Sequence, residues 1–129
     1  MVSGGFDPLH VGHVRLIRHA ALYGRVIVAL NSDAWLTRKK GRAFMPWNER
    51  AEILHDMRFV AGVIPVDDAD GTVCQALASL NPDYFANGGD RKSGDPLEIA
   101  TCNRLGIVRI YSVGGGKIQS SSQLVKGAA

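Results

Sequence analysis

Ten residues near the start of the chain, Gly4-Gly5-Phe6-Asp7-Pro8-Leu9-His10-Val11-Gly12-His13, carry the types and spacing that support chemistry. Two histidines lie three positions apart, with Gly12 just before the second. An apolar-periodic run from Val14 to Leu22 follows at once, so the decapeptide is a loop that feeds a helix. The first N–H groups of a helix have no intrahelical partner, and together with the helix dipole they form a ready anion site. Imidazoles beside them can donate to phosphate oxygens. Gly12 places no side chain between the two rings, which leaves the backbone open to close approach. Read physically, this is a phosphate-handling turn of the kind that holds a nucleoside triphosphate.

The decapeptide resembles the G-x-F-D-x-x-H-x-G-H signature of the cytidylyltransferase-like nucleotidyltransferases, and the likeness extends over nearly the whole chain. The resemblance implies transfer of a nucleotide from CTP or ATP to a phosphorylated small molecule, with release of pyrophosphate. It implies that His10 and His13 contact the triphosphate and that Gly4, Gly5, Phe6, Asp7 and Gly12 shape the turn around it. Positioning and charge stabilisation carry most of such a reaction. Mg²⁺ is expected to arrive with the triphosphate, and no protein metal site is expected. Asp7 is expected to order its loop by accepting backbone N–H bonds.

Three further segments fit the resemblance. Thr37-Arg38-Lys39-Lys40-Gly41-Arg42 matches a basic loop after the second strand, in which Lys39 or Lys40 reaches the phosphates. As a charge run it also reads as a plain solvated loop. Gly114-Gly115-Gly116-Lys117, followed by Ser120, Ser121 and Ser122, matches the loop and hydroxyl cluster that open the last helix. The serines are good N-cap residues as well. The family's arginine before this motif is missing, and Lys117 is the expected replacement. Gly88-Gly89-Asp90 resembles the segment that meets the base edge, and Arg58 is placed beside it as a partner for Asp90. Asp67-Asp68-Ala69-Asp70-Gly71 lacks the closing glutamate of a calcium loop and reads as a solvated loop with Asp70 capping a helix. Trp35 and Trp47 read as core or interface residues rather than as stacking partners of a ligand.

These residues need a scaffold. Apolar runs alternate with helical patterns, the mark of βαβ units. Strands are expected at Met1–Ser3, Val26–Leu30, Val60–Val66, Tyr84–Ala86 and Ile107–Val113. Helices are expected at Val14–Leu22, Pro46–Met57, Thr72–Leu80, Pro96–Leu105 and from Ser120 to Lys126. In the second of these, Ile53, Leu54 and Met57 are expected to point inward. The fold class is therefore α/β, a Rossmann-like doubly wound sheet of about five parallel strands with helices on both faces, in one domain over residues 1–129. Only three residues precede the glycine pair, so either the first strand is clipped or the true start lies upstream. Each motif follows a strand, where ligands lie in doubly wound sheets.

Composition narrows the function further. Of 129 residues, 46% are hydrophobic and 21% charged, an ordinary globular mixture. The net charge of +3 suits an anionic ligand but is too mild for a nucleic-acid binder. No run reaches membrane length and no signal peptide opens the chain, so a cytoplasmic location is expected. Cys74 and Cys102 are isolated and are expected to be reduced thiols. Neither G-x-G-x-x-G nor G-x-x-x-x-G-K-[ST] occurs, which disfavours a dinucleotide dehydrogenase or a P-loop enzyme. The expectation is a cytidylyl- or adenylyltransferase, nearest to the glycerol-3-phosphate type, with the heptose-1-phosphate adenylyltransferase type as the alternative. A homodimer is expected. A second alternative is a non-catalytic nucleotide-binding regulatory module.

Overall fold

The computed structural model describes residues 1–88, 94–115 and Leu124. Five parallel strands form the sheet: β1 (Val2–Gly4), β2 (Val26–Leu30), β3 (Val60–Pro65), β4 (Tyr84–Gly88) and β5 (Val108–Val113). Ladder pairing falls into two parts, β1-β2-β3 and β4-β5. Met1 joins them. Its N donates to the Tyr84 carbonyl at 2.7 Å, and its carbonyl accepts from Ala86 N at 3.0 Å. The strands thus run in the order 3-2-1-4-5. The sheet differs from a continuous five-strand ladder because β1 is only three residues long, so its pairing to β4 reduces to those two bonds.

Alternation along the strands builds two cores. Val28, Leu30, Ala86 and Val2 face one side, with Ile17 and Ala20 of α1 (Val11–Ala20) and Ala51 and Leu54 of α3 (Trp47–His55). Ala29 and Phe85 face the other, with Ala76 and Leu77 of α4 (Cys74–Leu80) and Cys102 of α5 (Pro96–Leu105). Helices on both faces are what continuous apolar strands such as Val26–Leu30 require. The strand order reverses at β1, so the loop after β1 opens at the switch point of the sheet.

Several expectations need correction. The basic segment after β2 is a helix, α2 (Asp33–Lys40), rather than a loop. Ser32 caps its start, accepting from Trp35 N at 3.0 Å, and Gly41 ends it in the left-handed region. Only Leu36 of this helix is buried, so no apolar stripe announces it. In α3 the buried phase runs through Arg50, Ala51 and Leu54, while Ile53 is 45% exposed. Val14 is likewise exposed in α1. Asp68 is buried rather than solvated. It accepts from Asn31 Nδ2, Ser32 N and Ser32 Oγ at 3.0, 2.8 and 2.7 Å, and so fastens the start of α2 to the loop after β3. Asp70 accepts from Thr72 N and Oγ1 in a local turn, and the cap of α4 is Val73.

Gly114, matched from sequence to the loop before the last helix, makes a close approach. A Cβ there would stand 2.9 Å from Leu16 N and 3.0 Å from the Arg15 carbonyl carbon, and its φ is +87°. The turn after β5 is therefore pressed onto the α1 backbone, where only glycine fits. Gly114→Ala is expected to destabilise the domain by about 1–3 kcal/mol, through left-handed strain plus the clash. A urea unfolding curve checks this, with a lowered midpoint and an unchanged slope as the expected result.

Candidate functional site

The two histidines cap their own helix. His10 is the N-cap residue of α1, and its Nδ1 accepts from Gly12 N at 3.0 Å. His13 stands at the third helical position and returns the bond, its Nδ1 accepting from His10 N at 3.2 Å. This is the reciprocal logic of a capping box, with imidazoles in place of a hydroxyl and a carboxylate. The rings stack, with centroids 3.9 Å apart and planes inclined by 26°. Gly12 matters here for a reason other than ligand access. A Cβ at that position would meet His10 Cε1 at 2.8 Å and Nδ1 at 3.0 Å, so glycine makes room for the imidazole itself.

The bonding pattern also assigns the tautomers. A ring whose Nδ1 accepts carries its proton on Nε2. On this pattern the His13 proton lies on Nε2, so that ring is an N–H donor at the helix start. Burial lowers the His13 pKa to about 3, with the neighbouring His10 and Lys40 charges acting in the same direction. His13 is a neutral donor across the physiological range.

The rest of the turn holds these rings in place. Phe6 is buried with φ at +49°, and its ring lies 4.6 Å from that of His13. Gly5 packs under α2, where a Cβ would come within 2.7 Å of Leu36 Cδ2. Gly4 closes β1 at φ +154°. Asp7 is buried and orders a loop, but a distant one. Its carboxylate accepts from Phe44 N at 2.6 Å and Met45 N at 2.8 Å, and its carbonyl accepts from Lys40 Nζ at 2.8 Å. Lys40 is thereby brought beside the histidine turn. Desolvation lowers its pKa, opposed by the Asp7 charge. Lys39 holds its Nζ 4.6 Å from the centroid of the Trp35 ring, which packs against Gly5.

Arg50 is the site residue that sequence reading missed. Its guanidinium is fully buried. Nε donates to the Met45 carbonyl at 2.9 Å, and Nη1 donates to the carbonyls of Gly5 at 2.8 Å and Asn31 at 2.9 Å. Nη2 pairs with Asp33 at the start of α2. The available signal was its place on the i, i+4 face shared with Leu54, where a surface residue does not belong.

The structure does not bring Arg58 to this site. It is exposed, stacks over Phe59, and lies just before β3. That is the opposite end of a parallel sheet from the loop after β1, roughly 20 Å away for strands of six residues. Gly88 ends β4 against Leu16 of α1, next to the site. Gly89, Asp90, Lys117, Ser120, Ser121 and Ser122 lie outside the described residues, as does the expected last helix except for Leu124, which is helical. Trp47 packs on the first core and donates from Nε1 to the Leu30 carbonyl at 3.0 Å. Among the described residues no group of three His, Cys, Asp or Glu side chains is placed to hold a metal. Among the same residues no helix is long and apolar enough to cross a membrane.

A family model for cytidylyltransferase-like proteins matches residues 1–115. The chain belongs to the cytidylyltransferase-like family. Membership places the domain in a nucleotidyltransferase class. The bifunctional protein HldE of Yersinia enterocolitica is 37% identical over 118 residues, 89% of this chain. HldE of Yersinia pestis matches to the same extent. The chain spans 23% of the length of these curated relatives. A lipopolysaccharide core biosynthesis protein from Thermoplasma volcanium superposes with a TM-score of 0.74 at 26% identity, covering 91% of this chain and 96% of the other. A protein of unknown function from Archaeoglobus fulgidus shares the fold, with a TM-score of 0.54 at 20% identity, covering 92% and 100%.

Two outcomes follow for this cytidylyltransferase-like site. The ¹⁵N shifts of the His13 ring are expected to report an Nε2–H tautomer with no titration between pH 5 and 8. A proton taken up near pH 6.5 would refute the capping geometry. Linkage fixes the sign: as pH falls below 6.5 the unfolded chain binds a proton that folded His13 refuses, so this residue lowers stability progressively toward pH 3. Arg50→Met is expected to cost at least ~3 kcal/mol in chemical denaturation, because three carbonyls lose a buried donor at ~1–3 kcal/mol each.

Proposed function

We propose that this domain transfers AMP from ATP to a sugar 1-phosphate of the heptose type, with release of pyrophosphate. The HldE relatives favour that branch of the family resemblance over glycerol-3-phosphate cytidylyl transfer. The observation that carries the catalytic part is the reciprocal histidine cap with the Lys40 ammonium beside it.

The chemistry asks little more of the protein. An acceptor phosphate oxygen is already an anionic nucleophile, so no general base is required. It attacks the α-phosphorus as the bond to the bridging oxygen of pyrophosphate breaks. Charge grows on the α-phosphoryl oxygens and on the leaving group. Donors fixed beforehand at the helix start meet that charge without reorganising, which is where electrostatic catalysis gains most. A neutral His13 suits this role, since it is needed as an N–H donor and not as an acid. Lys40, a compact ammonium held by the Asp7 carbonyl, adds a full positive charge. Magnesium belongs to the nucleotide in this scheme. Asp7, the carboxylate nearest the turn, is already engaged by Phe44 and Met45.

Pyrophosphate release tests the proposal. ATP with heptose 1-phosphate is expected to turn over, and His13→Ala is expected to lower kcat about a hundredfold or more. Lys40→Met is expected to act in the same direction. Turnover of CTP with glycerol 3-phosphate alone would instead establish the cytidylyl reading. Tight nucleotide binding without turnover of any acceptor would establish a regulatory module. The pH profile of kcat is expected to show no inflection from His13 between pH 5 and 8.

A further inference from the structure

The segment between α2 and α3 is fixed along its backbone and left open at one side chain. Phe44 and Met45 both donate their N–H groups to the buried Asp7 carboxylate, and the Met45 carbonyl accepts from Arg50 Nε. The main chain there is thus held from both sides by buried groups. The Phe44 ring nevertheless joins neither core and is 48% exposed. Exposed apolar residues are common singly and need no explanation in themselves. Position and rigidity set this one apart. The same Asp7 that holds the Phe44 backbone also holds Lys40 Nζ through its carbonyl, so the Phe44 backbone stands at the edge of the site.

We propose that Phe44 is a specificity-determining residue for the acceptor, packing its ring against the acceptor's carbon skeleton and favouring a sugar phosphate over glycerol 3-phosphate. The inference rests on the site assignment made above and deepens it. The nucleophile is the acceptor's phosphate, which must lie at the reaction centre between the histidine turn and Lys40. The carbon skeleton therefore projects away from that centre, toward the rim where Phe44 stands. A sugar ring offers one broad face of C–H groups to a phenyl ring, whereas glycerol is too small to cover it. Because the backbone of Phe44 is already fixed, little ordering of the protein opposes the contact.

Initial rates of pyrophosphate release with heptose 1-phosphate and with glycerol 3-phosphate test this in wild type, Phe44→Ala, Phe44→Trp and His13→Ala. Phe44→Ala is expected to raise KM for heptose 1-phosphate about tenfold, the scale of one lost aromatic contact. KM for ATP, the rate with glycerol 3-phosphate and the melting temperature are expected to stay as in wild type, and Phe44→Trp is expected to restore KM. An unchanged KM for heptose 1-phosphate in Phe44→Ala overturns the proposal, as does an equal rise in KM for ATP, which would make the ring a nucleotide contact. If His13→Ala is impaired while Phe44→Ala behaves as wild type, only the role of Phe44 falls. If His13→Ala is itself unimpaired, the site assignment falls and the proposal with it.

Discussion

A single buried guanidinium holds together the end of the sheet where the candidate site lies. Arg50 reaches the carbonyl that follows β1, the carbonyl that follows β2, the loop before its own helix and the first turn of α2. Each of those segments presents a carbonyl or carboxylate that water would otherwise have to solvate. An arginine suits the task because its donors fan out in a fixed plane, whereas a lysine would offer one point charge. Burying such a cation is costly unless its donors are paired, and here Nε, Nη1 and Nη2 all have partners. The Gly4–His13 turn inherits its geometry from this hub, since Gly5 is one of the groups that Arg50 grips.

Around that hub the catalytic candidates position one another. Ordinary capping boxes use hydroxyls and carboxylates, which satisfy the helix start and offer nothing further. Imidazoles satisfy the same backbone groups with one ring nitrogen and carry a second nitrogen besides. Desolvation, which keeps His13 uncharged, protects the arrangement, because a proton on Nδ1 would break the cap. Asp7 plays a comparable double part. Its carboxylate fixes the Phe44–Met45 backbone, and its carbonyl fixes Lys40, so two later segments are referred to the first loop.

Much of this was legible in the residues. The alternation of apolar runs and helical patterns specified an α/β sheet, and the continuous Val26–Leu30 run specified a strand covered on both faces, as the two cores show. The decapeptide pointed to a loop feeding a helix after the first strand, although the helix begins at Val11 and takes His13 into its first turn. Helix α2 carries its own signals in Ser32, the basic last turn and Gly41, but has no apolar stripe. The face Arg50 shares with Leu54 hinted that it was buried, but nothing local showed which distant segments its guanidinium would join. Arg58 shows the converse. Motif resemblance placed it near Asp90, whereas its position before β3 puts it at the far end of the sheet.

The sequence by itself determined the period of each segment, the family and the loop that carries the histidines, because those depend on residue types a few positions apart. Tertiary structure decided what the side chains bond to across 30 or more residues, as in Asp7 with Phe44, Asn31 with Asp68 and Arg50 with Gly5. It also decided why Gly12 and Gly114 are glycines, one yielding to an imidazole and the other to the backbone of α1. The physical reason is the same in each case. Local propensity is set by neighbours along the chain, whereas burial and hydrogen-bond pairing are set by neighbours in space, which exist only once the sheet has brought the strand ends together.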